Sequence, residues 1–173
     1  MTTEYLRNKF IVIIKENGAS GPGMKMSKRN KSLLLKVDKN FTPAVVESGE
    51  EYYPNGIFVF NITKMRGFIN NNKEKFKKCD ISVREYRRSY AILNDDHIDS
   101  VDIENPVILA EISPGRYNVI DGRHRVERAY RLGKDTIPGY ILAPWQHMQF
   151  LITVEAYHAF VKYWNDKVKE MQE

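Results

Sequence analysis

Residues 119–142 read VIDGRHRVERAYRLGKDTIPGYIL. An apolar, β-branched run ends at Ile120, Asp121-Gly122 interrupts it, and a helical pattern starts at once. That pattern covers about Arg123 to Leu132, and Gly133 stands where a left-handed C-terminal cap is wanted. Ile137 to Leu142 reads as a strand again. Upstream, Pro106 introduces a strand from Val107 to Ile112. Ser113-Pro-Gly-Arg116 is a turn, because proline presets φ and glycine accepts a positive one, and Tyr117 to Ile120 returns as the hairpin partner. Strands and helices mixed in this order predict an α+β fold, a small mixed β-sheet with helices packed on it.

The rest of the chain supplies further elements. Residues 10–14 (FIVII) and Leu33 to Val37 have strand character, and IFVFNI at 57–62 is a stronger strand signal. GASGPG at 18–23 is a loop, and 43–56, with two prolines and two glycines, reads as irregular connection. Residues 63–78 are expected to be helical and basic. Residues 83–93 space Val83, Tyr86, Tyr90 and Leu93 as a helix does. NDDHIDSVDIEN at 94–105 is acidic and loop-like. After Thr153, a natural N-cap, Tyr157, Phe160, Val161, Trp164, Val168 and Met171 fall on one stripe of a long amphipathic helix. Three regions are therefore expected: an N-terminal extension over 1–56 packed on the core, a core over 57–142, and a C-terminal helix over 143–173.

With 173 residues and 42% hydrophobic content, the chain is long enough to bury a core. The formal charge of +5 favours anionic partners. A single cysteine, Cys79, rules out an intrachain disulfide and a multi-cysteine zinc site. No long apolar run follows the first basic residues, and Phe10 to Ile14 is too short to span a bilayer, so a cytoplasmic protein without a membrane segment is expected.

The chemistry concentrates in Asp121-Gly-Arg-His-Arg125. A helix start carries unpartnered N–H groups and partial positive charge. Gly122 lets an anion approach the backbone, Arg123 and Arg125 suit phosphate oxygens, and His124 can donate a hydrogen bond or move a proton. Asp121 fits such a corner only if it caps the helix, holds an arginine or accepts a proton from a substrate. The plainer reading makes Asp121 a cap and pairs Arg123 with Glu127 on the surface, with Arg128 and Arg131 solvated.

Ile120, Gly122, His124, Arg125, Ala129, Leu132, Gly133, Ile137 and Pro138 follow in the order found in the ParB/sulfiredoxin superfamily. The stretch 106–142 resembles that family, whose turn grips nucleotide phosphates. The resemblance implies a ParB/sulfiredoxin-like core, a ligand such as CTP, ATP or ADP with Mg²⁺, and NTPase, phosphotransferase or nuclease activity. It makes Asp121 and His124 candidate catalytic residues, and Gly122, Arg123, His124 and Arg125 candidate nucleotide ligands. Two departures narrow it. Arg123 stands where sulfiredoxins carry their catalytic cysteine, and the stretch after Leu142 reads as one long helix where chromosome-partitioning members have a helix-turn-helix module. The turn is most similar to the D-G-x-H-R of free-serine kinases.

Other features compete. Gly18 and Gly23 have phosphate-loop spacing, but Met24 occupies the lysine position. Asp95, Asp96, Asp99, Asp102 and Glu104 with His97 offer hard ligands for Mg²⁺, or form a solvated loop. No residue is assigned as a metal ligand. The basic segments 25–36 and 64–78, with Arg84, Arg87 and Arg88, make a DNA or RNA surface the alternative partner, with Phe68 and Phe76 stacking on bases. In that alternative the protein is a nucleic-acid-binding accessory or nuclease whose same turn holds a backbone phosphate. The C-terminal stripe is a packing face or a dimer contact.

Overall fold

The computed structural model describes residues 33–76, 78–87 and 95–171. The strand expected at 10–14, the loop at 18–23 and most of the basic segment 25–36 lie outside these residues. The fold is α+β. Strands β1 (Tyr52–Asn55) and β2 (Phe58–Asn61) form a two-stranded antiparallel hairpin. Helix α1 (Ile62–Asn71) leaves it directly, and a short 3₁₀ turn follows at Lys73–Lys75. Then come β3 (Cys79–Ser82), the single turn α2 (Val83–Tyr86) and the single turn α3 (Asp95–Ile98). The hairpin β4 (Val107–Ser113) and β5 (Arg116–Asp121) leads to α4 (Arg123–Arg131), β6 (Thr136–Leu142), α5 (Pro144–His147) and the long α6 (Val154–Glu170).

The main sheet has the order β3-β6-β4-β5, with β4 and β6 parallel and the other pairs antiparallel. All seven residues of β4 are buried, as a central strand covered on both faces requires. Ile108, Ala110 and Ile112 turn to one core with Met65 and Ile69 of α1 and Tyr157, Phe160 and Trp164 of α6. Val107 and Leu109 turn to the other, with Val126 and Ala129 of α4. This alternation is the period-two geometry of a strand.

The caps follow residue chemistry. Asn61 is fully buried, and its side chain accepts from the Lys64 N–H at 2.9 Å, which starts α1 where the strand ends. Thr153 accepts from the Ala156 N–H at 3.0 Å, as expected. Gly133, at φ 68°, ends α4 with Lys134 N–H to Ala129 O at 2.9 Å and Gly133 N–H to Tyr130 O at 3.0 Å. That bond pair is a Schellman motif, and it realises the left-handed cap expected at this glycine.

Several expectations are corrected. Leu33 to Val37 pairs with no strand among the described residues. Its backbone is served by α6 instead. Asn165 donates to Leu35 O at 2.9 Å and accepts from Leu35 N–H at 2.8 Å, while Trp164 Nε1 donates to Leu33 O at 2.8 Å. One amide side chain thus stands in for a neighbouring strand. Asn165→Leu leaves both Leu35 groups unpaired, at about 1–3 kcal/mol. Hydrogen exchange is expected to show Leu35 losing protection while Leu109 keeps it.

The connection at 43–56 contains β1, whose Pro54 is tolerated because a two-stranded ribbon has only edge strands. This hairpin crosses the boundary drawn at residue 56. The helix expected over 63–78 stops at Asn71, and β3 was not anticipated at all. The helix expected over 83–93 is described only as far as α2, since residues 88–94 lie outside the described set. The acidic stretch is not wholly loop: α3 buries Ile98 completely. The α6 stripe packs against its own chain from Tyr157 to Val168, with Met171 left 55% exposed. That stripe is therefore used as a packing face within the chain. Among the described residues, no helix is long and apolar enough to cross a membrane.

Candidate functional site

Where β5 ends, Gly122 turns the chain into α4 at φ 96° and ψ 24°. A Cβ at this position would sit 2.6 Å from Val107 Cγ1 and 2.7 Å from Arg125 Nε. Both the dihedral and the space demand glycine. As the N-cap residue, Gly122 offers no side chain to the N–H groups of the first turn.

Gly122, His124 and Arg125 of this turn line a cleft of about 870 Å³. Arg66, Ile69, Asn70 and Lys73 of α1 and its following turn line one side, together with Lys78. His97, Val101, Asp102, Glu104 and Asn105 line the other. Glu51, Pro106, Ile108, Asp121, Gly122, His124, Arg125 and Tyr140 complete it. The 101–105 segment is held against α4 by Arg125 Nη1 to Asn105 O at 3.5 Å and by Arg128 Nη1 to Val101 O.

Asp121 is the hub of an ion-pair relay. Arg66 binds it through two bonds of 2.8 Å, and Arg125 Nη2 lies 3.0 Å from Oδ1. Arg66 also reaches Glu51 at 2.6 Å. Burial alone would raise the Asp121 carboxyl. The Arg66 hydrogen bonds and the Arg125 charge outweigh it and hold the group below the ordinary carboxylate range. Of the three roles open to Asp121, the geometry supplies the arginine-holding one. It does not cap the helix, and both its oxygens are taken.

His124 lines the cleft with its ring against His97, centroids 4.9 Å apart and planes at 78°. Burial first, and the neighbouring His97 second, hold its imidazole below the usual value, so it is neutral at neutral pH.

Arg123 is the correction among the site residues. It does not line the cleft. Its guanidinium donates to Tyr53 OH and to Val119 O and lies 5.1 Å from the Tyr53 ring centroid. Two residues along a helix are about 200° apart, so Arg123 and Arg125 cannot share one side of α4. Arg66 supplies the second arginine instead. Nor does Arg123 pair with Glu127, which is held by Arg87 at 2.8 Å and Arg131 at 3.2 Å. Arg131 and Arg128 are accordingly engaged rather than simply solvated.

Lys73 and Lys78 enter the cleft with no ion pair to a described residue. In sequence they belong only to a basic run, and His97 only to an acidic one. No local pattern marks Arg66, Lys73, Lys78 or His97 as neighbours of the turn.

Phe68 and Phe76 are not displayed for bases. They pack edge-on to each other at 6.0 Å, Phe68 meets Phe150 at 5.7 Å, and Phe76 meets Tyr140 at 6.3 Å. Among the described residues, no three His, Cys, Asp or Glu side chains gather as a metal site. Cys79 is half-buried in β3, with its thiol against Gly139 O at 3.5 Å.

No family model, curated protein or solved structure matches the chain.

Proposed function

We propose that this cleft binds a nucleotide, or another small phosphate ligand, at the start of α4. The observation that carries the reading is the convergence of four features on one space: the uncapped helix start, Arg125, Lys73 with Lys78, and the neutral His124. Its volume of about 870 Å³ falls in the range of small-molecule and cofactor sites. Helix starts bind phosphate through backbone N–H groups, and nearby cations add charge-assisted bonds. The resemblance of the turn to the nucleotide-gripping turn of ParB/sulfiredoxin proteins points the same way.

In this reading Gly122 admits the phosphate to the backbone and the N–H groups of residues 123–125 receive it. Arg125, Lys73 and Lys78 offset its charge. Asp121 and Arg66 position Arg125 and take no part in proton transfer. His124 is the group able to accept or return a proton, which would serve slow hydrolysis or phosphoryl transfer. Such transfer rests mainly on positioning and charge neutralisation. Mg²⁺ would arrive with the nucleotide. Asp102 and Glu104 across the cleft disfavour a run of phosphates there and suit the amino groups of a base. Nucleic acid is the weaker partner, since Phe68 and Phe76 are spent on the core.

Calorimetry with CTP, ATP, ADP and GTP, with and without Mg²⁺, tests this. Arg125→Ala and Lys73→Ala should each weaken binding by about tenfold or more, the worth of one charge-assisted bond. Circular dichroism should be unchanged, because Arg66 still holds Asp121. Variants that bind like the parent chain would overturn the site. A steep salt dependence without base preference would indicate a backbone phosphate instead.

A further inference from the structure

Two imidazoles border the cleft, and they come from different elements. His124 belongs to the first turn of α4, whereas His97 arrives from α3, and their rings meet edge to face at 4.9 Å. Neither forms an ion pair with a described carboxylate. The charged groups nearby are otherwise engaged. Asp121 is bound by Arg66 and Arg125, and Arg123 turns to Tyr53. Asp102 Oδ1 accepts from the Glu104 N–H at 2.9 Å. Ser100 Oγ stands 3.4 Å from His97 Nδ1 and is neutral. α3 also carries Asp95 and Asp96, and Asp99 follows it; Arg125 of α4 itself, with Glu51, Lys73, Lys78, Asp102 and Glu104 from other elements, lines the same cleft.

Burial and the ring of His97 beside it both oppose a proton on His124. Neither ring is ion-paired to a described carboxylate, and the uncapped helix start is where an anion would meet the pair. A phosphate monoester brings about 1.5–2 negative charges near neutral pH, whereas a diester brings about one. The monoester therefore gains more from a proton taken up beside it.

Resting on the phosphate reading above, we propose that His97 and His124 share a proton recruited by the ligand. The pair thereby makes the cleft select a terminal phosphate monoester over a phosphodiester. His97 is then a specificity-determining residue, distant in sequence from the turn it serves.

The test compares AMP and CMP with their 3′,5′-cyclic diesters on the full chain, by calorimetry and histidine-ring NMR. Between about pH 8 and about pH 6.5 at least one monophosphate should tighten about tenfold, the linkage expected for one proton over about one unit. Its cyclic diester should change less than about twofold. Saturation with the monophosphate should move the His124 ring titration upward, and His97→Gln should at least halve the gain in affinity. Monophosphate binding that leaves both rings unmoved, or cyclic diesters that gain equally, would overturn the inference and leave the cleft reading intact. Absence of any monophosphate binding would overturn both.

Discussion

Gly122→Ala lowers the free energy of unfolding by about 3 kcal/mol. Two costs combine. At φ 96° an L-residue is strained, and the new methyl group would lie 2.6 Å from Val107 Cγ1 and within 2.8 Å of two Arg125 nitrogens. Val107 is fully buried in the central strand, so it has nowhere to move. Arg125 would have to leave Asp121, which costs the relay as well. Gly133 is the internal control. Its φ is 68°, but a Cβ there meets nothing within 4 Å. Gly133→Ala should cost only about 1 kcal/mol, the dihedral strain alone. Urea unfolding of both variants measures the difference. Equal losses would mean that crowding at the turn is not what fixes the glycine.

Acid removes about 3–4 kcal/mol of stability through His147. This side chain is fully buried between Phe60 and Phe160, at ring distances of 5.4 and 5.2 Å. Nε2 is 2.8 Å from Glu111 O and so carries the proton, while Nδ1 has no partner among the described residues. Burial lowers its pKa to about 4, against a smaller opposing effect of the Glu111 carbonyl. The unfolded chain binds this proton near the ordinary histidine value of about 6.5. Between the two values the unfolded state holds more protons, so stability falls as pH falls. The contribution is fully present above about pH 6.5 and is gone near pH 4. A difference of about 2.5 units, at about 1.4 kcal/mol each, sets the size. The Asp121 carboxyl, held low by its arginines, loses its contribution in a more acid window, as pH falls through its depressed folded value. His147→Gln should flatten the pH dependence between about pH 6.5 and about pH 4. An unchanged slope in that variant would assign the acid sensitivity elsewhere.

The turn itself was legible because its causes are local. A β-branched strand, a glycine and a helical repeat in direct succession have few ways to fold. The Schellman cap at Gly133 and the Thr153 cap follow from the residue types alone. What sequence could not show were contacts between distant segments. Arg123 and Arg125 look equivalent in a pentapeptide, and only helix geometry sends one to Tyr53 and the other to Asp121. Arg66 joins the site from 55 residues away. Its neighbours Ile62, Met65 and Ile69 announce a buried helix face without saying what its rim touches. Leu33 to Val37 has strand character, yet the described partners of the Leu33 and Leu35 backbone are side chains of α6. Cys79-Asp-Ile-Ser82 has little strand character and becomes a strand because β6 offers it an edge.

The central claim is that phosphate binds at the backbone between Gly122 and Arg125. The most direct measurement is an amide NMR titration of the full chain with the nucleotide that calorimetry ranks first. The account predicts that the N–H signals of residues 123–125 move most, with the side chains of Arg125 and Lys73 following, and that these shifts disappear in Arg125→Ala. Saturating nucleotide that leaves those amides unmoved, or that shifts a different surface, would contradict it.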